Sequence, residues 1–306
     1  MRVPGTLWGV TAFFNPARYR ARYRNFLEFR AQLAVPLVAV ELSFDGEFEL
    51  QPGDADVLVR VTDGDVLWQK ERLLNLGVRA APEHCPAVVA LDSDAVFENP
   101  DWPRETESLL RRHPVVQPFS RAYALPAGVT RPDAWNQEKV GYGLAYATTS
   151  GREVDFSDGP TWPVYGGAWA FRRRLLERHG LYEACVMGGG DQALGCALFG
   201  DYAEAIRPIH MNPRQEAHYL RWAEPLYREV RGDVGFVEGR LGTLWHGTVK
   251  ERKYIRRHQD LAPFGFAPDE DLRPGSDGPW RWASDKPAMH RYVREYFASR
   301  NEDSGA

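Results

Sequence analysis

Two aspartates at the end of a short apolar run are the residues whose spacing most directly suggests chemistry. The run Ala87–Leu91 is followed by Asp92, Ser93 and Asp94. A run of this length bounded by polar residues is typical of a buried strand, and ligands of open α/β sheets bind beyond the carboxyl ends of such strands. Two carboxylates placed there can share Mg2+ or Mn2+, which prefer oxygen ligands. The alternative is an ordinary turn, in which Asp and Ser are common.

Glycines mark two further stretches. Gly166 and Gly167 precede an apolar run, which indicates backbone passing close to a ligand or, alternatively, a bulge or tight packing. Asp191 follows three glycines, 188–190, and opens a predicted helix. It can serve as a general base at the mouth of the sheet, or simply as the N-cap of the helix.

A histidine completes the set of candidate residues. His246 follows the apolar run Leu241–Trp245 and precedes Gly247. Together with Asp92 and Asp94 it would form a three-residue metal site with open positions for phosphate oxygens and water. The alternative is a hydrogen-bonded structural histidine.

Composition limits the classes of function. The net charge of −4 over 306 residues predicts no general attraction to nucleic acid or to anionic membranes. No run approaches the roughly eighteen apolar residues of a membrane span, and the first residues lack the features of a signal peptide. Three scattered cysteines, Cys85, Cys185 and Cys196, indicate reduced thiols. We therefore expect a cytoplasmic or membrane-peripheral protein without a transmembrane segment.

Alternating elements must position these residues. Apolar runs predict strands at Leu7–Phe13, Pro36–Leu42, Ala55–Val61, Ala87–Leu91, Val115–Phe119 and Leu241–Trp245. Helical spacing predicts helices at Ala17–Leu33, Asp65–Leu76, Arg104–Arg112, Arg172–His179, Asp191–Phe199, Gln215–Val230, Lys250–Gln259 and Pro287–Ser299. Loops are expected over 122–162. Such alternation predicts a mainly parallel sheet with helices on both faces.

The order of these pieces resembles the nucleotide-sugar-dependent glycosyltransferases of the GT-A fold, especially glycosyltransferase family 2 and its galactosyltransferase-like relatives. The similarity runs from about Leu7 to His258. It is carried by Trp68-x-Lys70-Glu71-x-x-Leu74-Asn75, Leu91-Asp92-Ser93-Asp94, Gly166-Gly167-x-x-x-Phe171-Arg172-Arg173, Gly189-x-Asp191 and His246.

The resemblance implies a Rossmann-like GT-A domain over residues 1–260. Its nucleotide-sugar half would cover about 1–120 and its acceptor half about 121–260. A C-terminal extension with a terminal helix would follow over 261–306.

The resemblance also implies roles for individual residues. Donor binding would fall to Phe14, Asn15, Glu41, Asp63, Lys70, Asn75, Asp92, Gly166 and Gly167. Mn2+ (or Mg2+) would be held by Asp92, Asp94 and His246. Asp191 matches the catalytic base of inverting members, although this chain has Gly190-Asp191-Gln192 where the family usually shows Glu-Asp. Acceptor contacts are expected from Trp162, Tyr165, Trp169 and Gln192, with buried core as the alternative for the aromatics.

These roles predict a metal-dependent, hexosyltransferase-like enzyme that moves a sugar from a UDP-sugar to an acceptor hydroxyl with inversion. A cation would stabilise the departing diphosphate, and a carboxylate would take the hydroxyl proton as the new bond forms. The acceptor would be a glycan, a lipid-linked glycan or another hydroxyl compound. Nucleic acid is not expected, apart from modified DNA.

Two alternatives stay open at this point. Asp92-Ser93-Asp94-Ala95-Val96 also fits the nucleophile motif of haloacid-dehalogenase-like phosphatases, in which the first Asp is the nucleophile. That motif normally lies on the first strand, whereas about ninety residues precede it here. A protein that binds sugar nucleotides without transferring the sugar is the other alternative.

Overall fold

The computed structural model describes residues 6–131, 140–151, 163–275 and 278–304. In chain order the strands are β1 (Leu7–Phe14), β2 (Leu37–Leu42), β3 (Val57–Val61), β4 (Ala87–Leu91), β5 (Ala95–Phe97), β6 (Val115–Gln117), β7 (Arg121–Ala124), β8 (Val140–Tyr142), β9 (Ala168–Arg172), β10 (Val234–Phe236), β11 (Arg240–Thr243), β12 (Leu272–Pro274) and β13 (Trp280–Trp282).

The helices alternate with these strands through the first half of the chain. They are α1 (Arg20–Gln32), α2 (Lys70–Ala80), α3 (Trp102–Leu110), α4 (Leu144–Thr149), α5 (Arg173–His179), α6 (Gly190–Phe199), α7 (Ala203–Ile206), α8 (Pro213–Val230), α9 (Val249–Arg252), α10 (Arg256–Leu261), α11 (Pro268–Asp271) and α12 (Pro287–Ala298).

A central sheet organises the molecule. Its strand order is β10-β6-β9-β4-β1-β2-β3, and every neighbouring pair is parallel except those that include β9. The carboxyl ends of β1, β2 and β4 therefore lie at one edge, where ligands of such sheets bind. This mainly parallel α/β architecture is the one that the resemblance to GT-A transferases predicts, so the predicted fold class is confirmed.

Helices cover both faces of the sheet because successive strand residues point to opposite faces. Val88 belongs to the same buried cluster as Leu73 of α2, whereas its neighbour Val89 belongs to a second cluster with Phe26 and Phe29 of α1. Strands buried on both faces read as continuous apolar runs, which is why β2 and β4 were recognisable in the sequence.

A second, four-stranded sheet lies beside the carboxyl end of β4, in the order β5-β11-β7-β8. β5 begins one residue after Asp94 and is antiparallel to β11, with Thr243 opposite Ala95. The backbone N–H of Leu244 donates to the carbonyl of Asp94 at 2.9 Å. This pairing brings the segment after β11 alongside the aspartate pair.

The C-terminal segment packs onto the carboxyl end of β1. The Phe297 ring of α12 lies 6.1 Å from the Phe14 ring and 6.0 Å from the Trp68 ring, measured between centroids. The Tyr19 hydroxyl donates to the carbonyl of Ala298 at 2.7 Å. The predicted C-terminal helix is thus present and closes one side of the sheet edge. None of the helices in the described part of the chain is both long and apolar enough to cross a membrane.

Three local predictions differ from the structure. The helix expected over Asp65–Leu76 begins only at Lys70 and extends to Ala80, because the N–H of Trp68 instead donates to the carbonyl of Val186 at 2.9 Å. The helix expected over Lys250–Gln259 is split into α9 and α10 at Lys253, which has a positive φ of 47°. Part of the expected loop region, 122–162, contains β8, α4 and most of β7.

Candidate active site

Strand register places two of the predicted residues side by side. β4 and β9 are antiparallel, with Leu91 opposite Ala168, so the next residues, Asp92 and Gly167, also face each other. The N–H of Asp92 donates to the carbonyl of Gly167 at 2.9 Å, and the N–H of Gly167 donates to Asp92 Oδ2 at 3.0 Å. Gly167 has a positive φ of 97°, a conformation that glycine adopts without steric cost.

Lys70 joins two carboxylates from distant parts of the chain. Its ammonium Nζ lies 2.5 Å from Asp92 Oδ1 and 2.9 and 2.8 Å from the two oxygens of Asp191. The lysine side chain is 13% exposed, and burial strengthens charged hydrogen bonds. Burial lowers the pKa of Lys70, but the Asp191 and Asp92 carboxylates outweigh burial and raise it well above its usual value. The three side chains form a charged cluster at the sheet edge.

Asp191 reaches this cluster from the first turn of α6. The N-cap is Gly189, with a positive φ of 97°, and no side chain caps this helix. The N-cap interpretation of Asp191 is therefore wrong. A Cβ added at Gly166 would lie 3.1 Å from Asp191 Oδ2 and 3.5 Å from Asp92 Oδ2. Glycine at this position leaves open the space in front of both carboxylates.

Burial raises the pKa of Asp92, which belongs to the cluster, and of Glu71, which lies beside it. The largest effect on Asp92 is burial, which raises its pKa, whereas the Lys70 cation lowers it. The Asp191 and Asp94 carboxylates raise it further, and the net result is a pKa of about 6. Burial raises the pKa of Glu71, Lys70 lowers it, and the Asp191 carboxylate raises it further, to about 8. Glu71 is 4% exposed and its Oε1 has no hydrogen-bond partner. The Glu71 carboxyl group is packed directly beneath Gly190.

Asp94 and His246 meet on the other side of Asp92. His246 Nδ1 lies 2.9 Å from Asp94 Oδ2 and 2.9 Å from the carbonyl of Leu244. Arg252 Nη1 donates to His246 Nε2 at 2.9 Å. Burial acts to raise the pKa of Asp94, but His246 and the Arg252 cation outweigh burial, so the pKa is lowered.

Only part of the predicted metal site fits the structure. Carboxylate oxygens suit Mg2+ and Mn2+, and Asp92 and Asp94 lie at the expected strand end. His246 does not fit as the third ligand, because its Nδ1 faces Asp94 and its Nε2 accepts from Arg252. Over the described ranges, no group of three His, Cys, Asp or Glu side chains could hold a metal ion. A bound Mn2+ or Mg2+ therefore stays a prediction from the resemblance.

Two of the residues predicted to bind the donor, Asn15 and Glu41, lie in the wall of a polar hollow at the ends of β1 and β2. Arg18 and Ser43 line it as well. The buried Glu41 carboxylate accepts from the backbone N–H groups of Glu49 and Leu50, and Asn15 Nδ2 donates to the carbonyl of Tyr19 and to Glu49. Both side chains therefore hold the walls of the hollow in place.

Phe14 and Asp63, which were also predicted to bind the donor, do not line the hollow. Phe14 is 4% exposed and packs against Trp68, so it belongs to the core. Asp63 is paired with Arg281 at 2.6 Å, and its side chain is 70% exposed. Its positive φ of 64° places it in a turn after β3.

Asn75 has a structural position. Its amide donates to the carbonyl of Leu181 at 3.0 Å and to Glu183 at 2.5 Å, and its oxygen accepts from the N–H of Leu181 at 2.8 Å. The side chain thus ties α2 to the loop after α5. These contacts engage both ends of the amide, and the predicted donor contact remains a prediction.

Of the predicted acceptor residues, Trp169 is buried, whereas Tyr165 and Gln192 are partly exposed. Trp169 is 2% exposed, so the core alternative is correct and a role in stacking the acceptor is wrong. The Tyr165 ring lies against Gly195 of α6, and Gln192 donates to the carbonyl of Glu204 at 2.6 Å. Trp162 lies outside the described residues.

Sequence reasoning missed the roles of Glu71 and Arg252. Glu71 lies next to Lys70, but nothing in its spacing predicts a buried carboxyl group. Arg252 belongs to the basic stretch 250–258, whose pattern favours a solvated helix face over a contact with the diphosphate or with an acidic acceptor. Its contact with His246 forms within the segment that follows β11, where α9 begins at Val249 and ends at Arg252.

The chain was compared with known proteins. The sequence matches no protein-family model, and no curated protein is significantly similar to it. Solved structures similar to this chain include Staphylococcus aureus TarS 1–349, with a TM-score of 0.39 and 11% identity over 98% of this chain and 72% of that one. Mycobacterium tuberculosis glucosyl-3-phosphoglycerate synthase has a TM-score of 0.39 and 14% identity over 93% and 91% of the two chains. Anaerococcus prevotii 4-diphosphocytidyl-2C-methyl-D-erythritol synthase has a TM-score of 0.35 and 13% identity over 77% and 88%. Since these scores lie below 0.5, the functional argument rests on the residues of this chain.

Proposed function

We propose that this chain is a glycosyltransferase that moves a hexose from a nucleoside diphosphate sugar, a UDP-sugar, to an acceptor hydroxyl. The observation that carries the proposal is the cluster of Asp92, Lys70 and Asp191 in front of Gly166, at the carboxyl edge of a mainly parallel sheet. The cluster combines a carboxylate that can act as a base, a buried cation and an open space, which are the elements that glycosyl transfer requires.

In the proposed reaction the acceptor oxygen attacks the anomeric carbon in a single displacement that inverts its configuration. The bond between that carbon and the diphosphate oxygen breaks, and its electron pair leaves with the diphosphate. The Asp191 carboxylate takes the acceptor proton as the new bond forms. A single base is enough because the diphosphate, unlike the leaving group of a glycosidase, departs without protonation.

Lys70 would contribute to both halves of this reaction. Its ammonium donates to both oxygens of Asp191 and so holds that carboxylate at a fixed place. It is also a buried positive charge at the sheet edge, and preorganised charge of this kind can stabilise the negative charge that develops on a leaving diphosphate. A bound Mn2+ or Mg2+ would add Lewis-acid stabilisation of the leaving group.

The phosphatase alternative receives less support. Asp92 Oδ1 pairs with Lys70 and Oδ2 accepts the N–H of Gly167. Asp92 also follows β4 in the middle of the sheet rather than the first strand. The position of Asp92 in the sheet therefore does not match the position that the phosphatase motif normally occupies.

The proposal is tested with a panel of nucleotide sugars. Thermal unfolding is measured with UDP-, GDP- and dTDP-sugars, because a ligand that binds the folded state raises the unfolding temperature. Release of nucleoside diphosphate is then followed with the best binder, with and without candidate acceptors. Binding together with release supports the proposal. Binding without any release favours the non-catalytic alternative, and a phosphorylated Asp92 favours the phosphatase. If none of the nucleotide sugars raises the unfolding temperature, the proposal is overturned.

A further inference from the structure

His246 and Arg252 form a contact that neither the strand-end aspartates nor the base requires. Arg252 Nη1 donates to His246 Nε2 at 2.9 Å. A guanidinium nitrogen only donates hydrogen bonds, so Nε2 is the accepting nitrogen and the ring proton lies on Nδ1. That proton faces Asp94 Oδ2 and the Leu244 carbonyl. Nδ1 therefore carries the ring proton, and the lone pair of Nε2 accepts from Arg252, so no lone pair of the ring is free for a metal ion.

The Arg252 guanidinium has a donor left over. Its Nη1 also donates to the Tyr254 hydroxyl at 2.7 Å, but its Nε is buried and has no hydrogen-bond partner. Leaving a buried donor unpaired is costly, more so for a charged group. Arg252 is linked to Asp94 through His246, and an unused donor on a cation at this place indicates a place for an anionic ligand.

The backbone around Arg252 is held firmly. Thr248 and Glu251 form a capping box at the start of α9, which fixes the first turn of a helix. The Glu251 carboxylate also accepts from Asn301 at 2.9 Å, and the Tyr296 hydroxyl donates to the carbonyl of Arg252 at 3.1 Å. The guanidinium thus sits on an anchored segment.

We propose that Asp94 and His246 position Arg252 to bind the diphosphate of the donor, so that His246 is a positioning residue and not a metal ligand. This inference rests on the proposed function, and it assigns a partner to the diphosphate within that site. Arginine suits the task because its planar fork of N–H groups matches phosphate oxygens. Asp94 orients the imidazole through Nδ1, and the imidazole in turn orients the guanidinium through Nε2.

The test measures affinity for UDP and for uridine by titration calorimetry, each in EDTA and in Mn2+. Arg252→Gln should weaken UDP binding about tenfold, the scale of a hydrogen bond to a charged group. It should leave uridine binding unchanged, because uridine has no phosphate. The matched control is Arg256→Gln, since Arg256 is a neighbouring arginine that is 77% exposed, and this control should bind UDP like the wild type.

Variants of the histidine separate positioning from metal binding. His246→Leu should weaken UDP binding as much as Arg252→Gln does, and the double variant should be no weaker, because residues that act as one unit are not additive. His246→Gln should restore much of the affinity, since its side-chain oxygen can accept the Arg252 N–H. These differences should be the same in EDTA and in Mn2+. Unfolding temperatures of all variants are measured alongside, to exclude loss of the fold.

Two results would overturn the inference while leaving the proposed function intact. One is wild-type UDP affinity in Arg252→Gln. The other is a His246→Leu variant whose defect appears only in Mn2+, which would make His246 a metal ligand. A wild-type protein that binds neither UDP nor any other nucleoside diphosphate would instead overturn the proposed function, and this inference with it.

Discussion

The Lys70 ammonium lies within 2.9 Å of both oxygens of Asp191, a residue 121 positions further along the chain. Lys70 begins α2 and Asp191 lies in the first turn of α6. The two helix starts therefore converge at the sheet edge, where Asp92 joins them.

Asp191→Asn should keep donor binding and lose most of the transfer rate. Asparagine occupies the same space, and Lys70 keeps its partner Asp92, so the site stays assembled. Removal of a general base lowers rates by about 10²–10⁴-fold. The measurement is UDP release at saturating donor, together with UDP affinity. Asp101→Asn, at a side chain that is 60% exposed, is the matched control. Equal loss of affinity and rate would contradict the assignment of Asp191 as the base.

Gly190→Ala should destabilise the protein by about 1–3 kcal/mol, the usual cost of overpacking a tight site. A Cβ at this position would overlap the Glu71 carboxyl group, which is buried and has little room to move. Chemical denaturation measures the free energy of unfolding. Gly275→Ala is the control, because the nearest atom to a Cβ there is 3.8 Å away.

The same clash predicts a rescue. Adding Glu71→Ala to Gly190→Ala removes the obstructing carboxyl group, so the pair should lose less stability than the sum of the two single changes. If the losses in the free energy of unfolding of the two single variants simply add in the double variant, Glu71 does not occupy the space under Gly190.

Asn75→Ala should lower stability and leave UDP affinity unchanged. The substitution removes three hydrogen bonds and leaves the polar groups of Leu181 without their partner. Unsatisfied buried groups cost about 1–3 kcal/mol each. Denaturation and UDP titration on the same sample distinguish the two roles. A variant with wild-type stability but weakened UDP binding would support the donor contact implied by the resemblance.

Glu302 should make the protein sensitive to acid. Its side chain is fully buried and paired with Arg22 and Arg300. Burial acts to raise the pKa of Glu302, but the two arginines outweigh burial and lower it to about 2. Since the folded-state pKa is depressed, the stabilisation is complete above the ordinary carboxyl pKa and is lost as the pH falls toward 2.

Glu302→Gln checks this expectation. At pH 7 the variant should be less stable by about 3 kcal/mol, the scale of breaking a buried ion pair. Its stability should also fall less than that of the wild type as the pH is lowered below about 4.5. Parallel pH profiles of the two proteins would contradict the predicted role of this carboxylate.

The sequence by itself determined the sheet and the edge at which the site lies. A strand that is buried on both faces of a parallel sheet has a continuous apolar run, such as Ala87–Leu91. Burial of this kind can be predicted from the local pattern of apolar residues. The position of Asp92 at a strand end and that of Asp191 at a helix start followed from the same patterns. The sequence left open whether Trp169 was core or acceptor platform, because an aromatic side chain serves either role.

Only the tertiary structure decided which side chains meet. The bridge from Lys70 to Asp191 and the burial of Glu71 under Gly190 join residues more than a hundred positions apart, and strand register and helix packing set such contacts. The contact between Arg252 and His246 spans only six positions. It nevertheless depends on β11 pairing with β5 and on the end of α9 at Arg252, which no local pattern specifies. Periodicity reports how deeply a residue is buried, whereas the identity of its partner is fixed only when distant segments pack together.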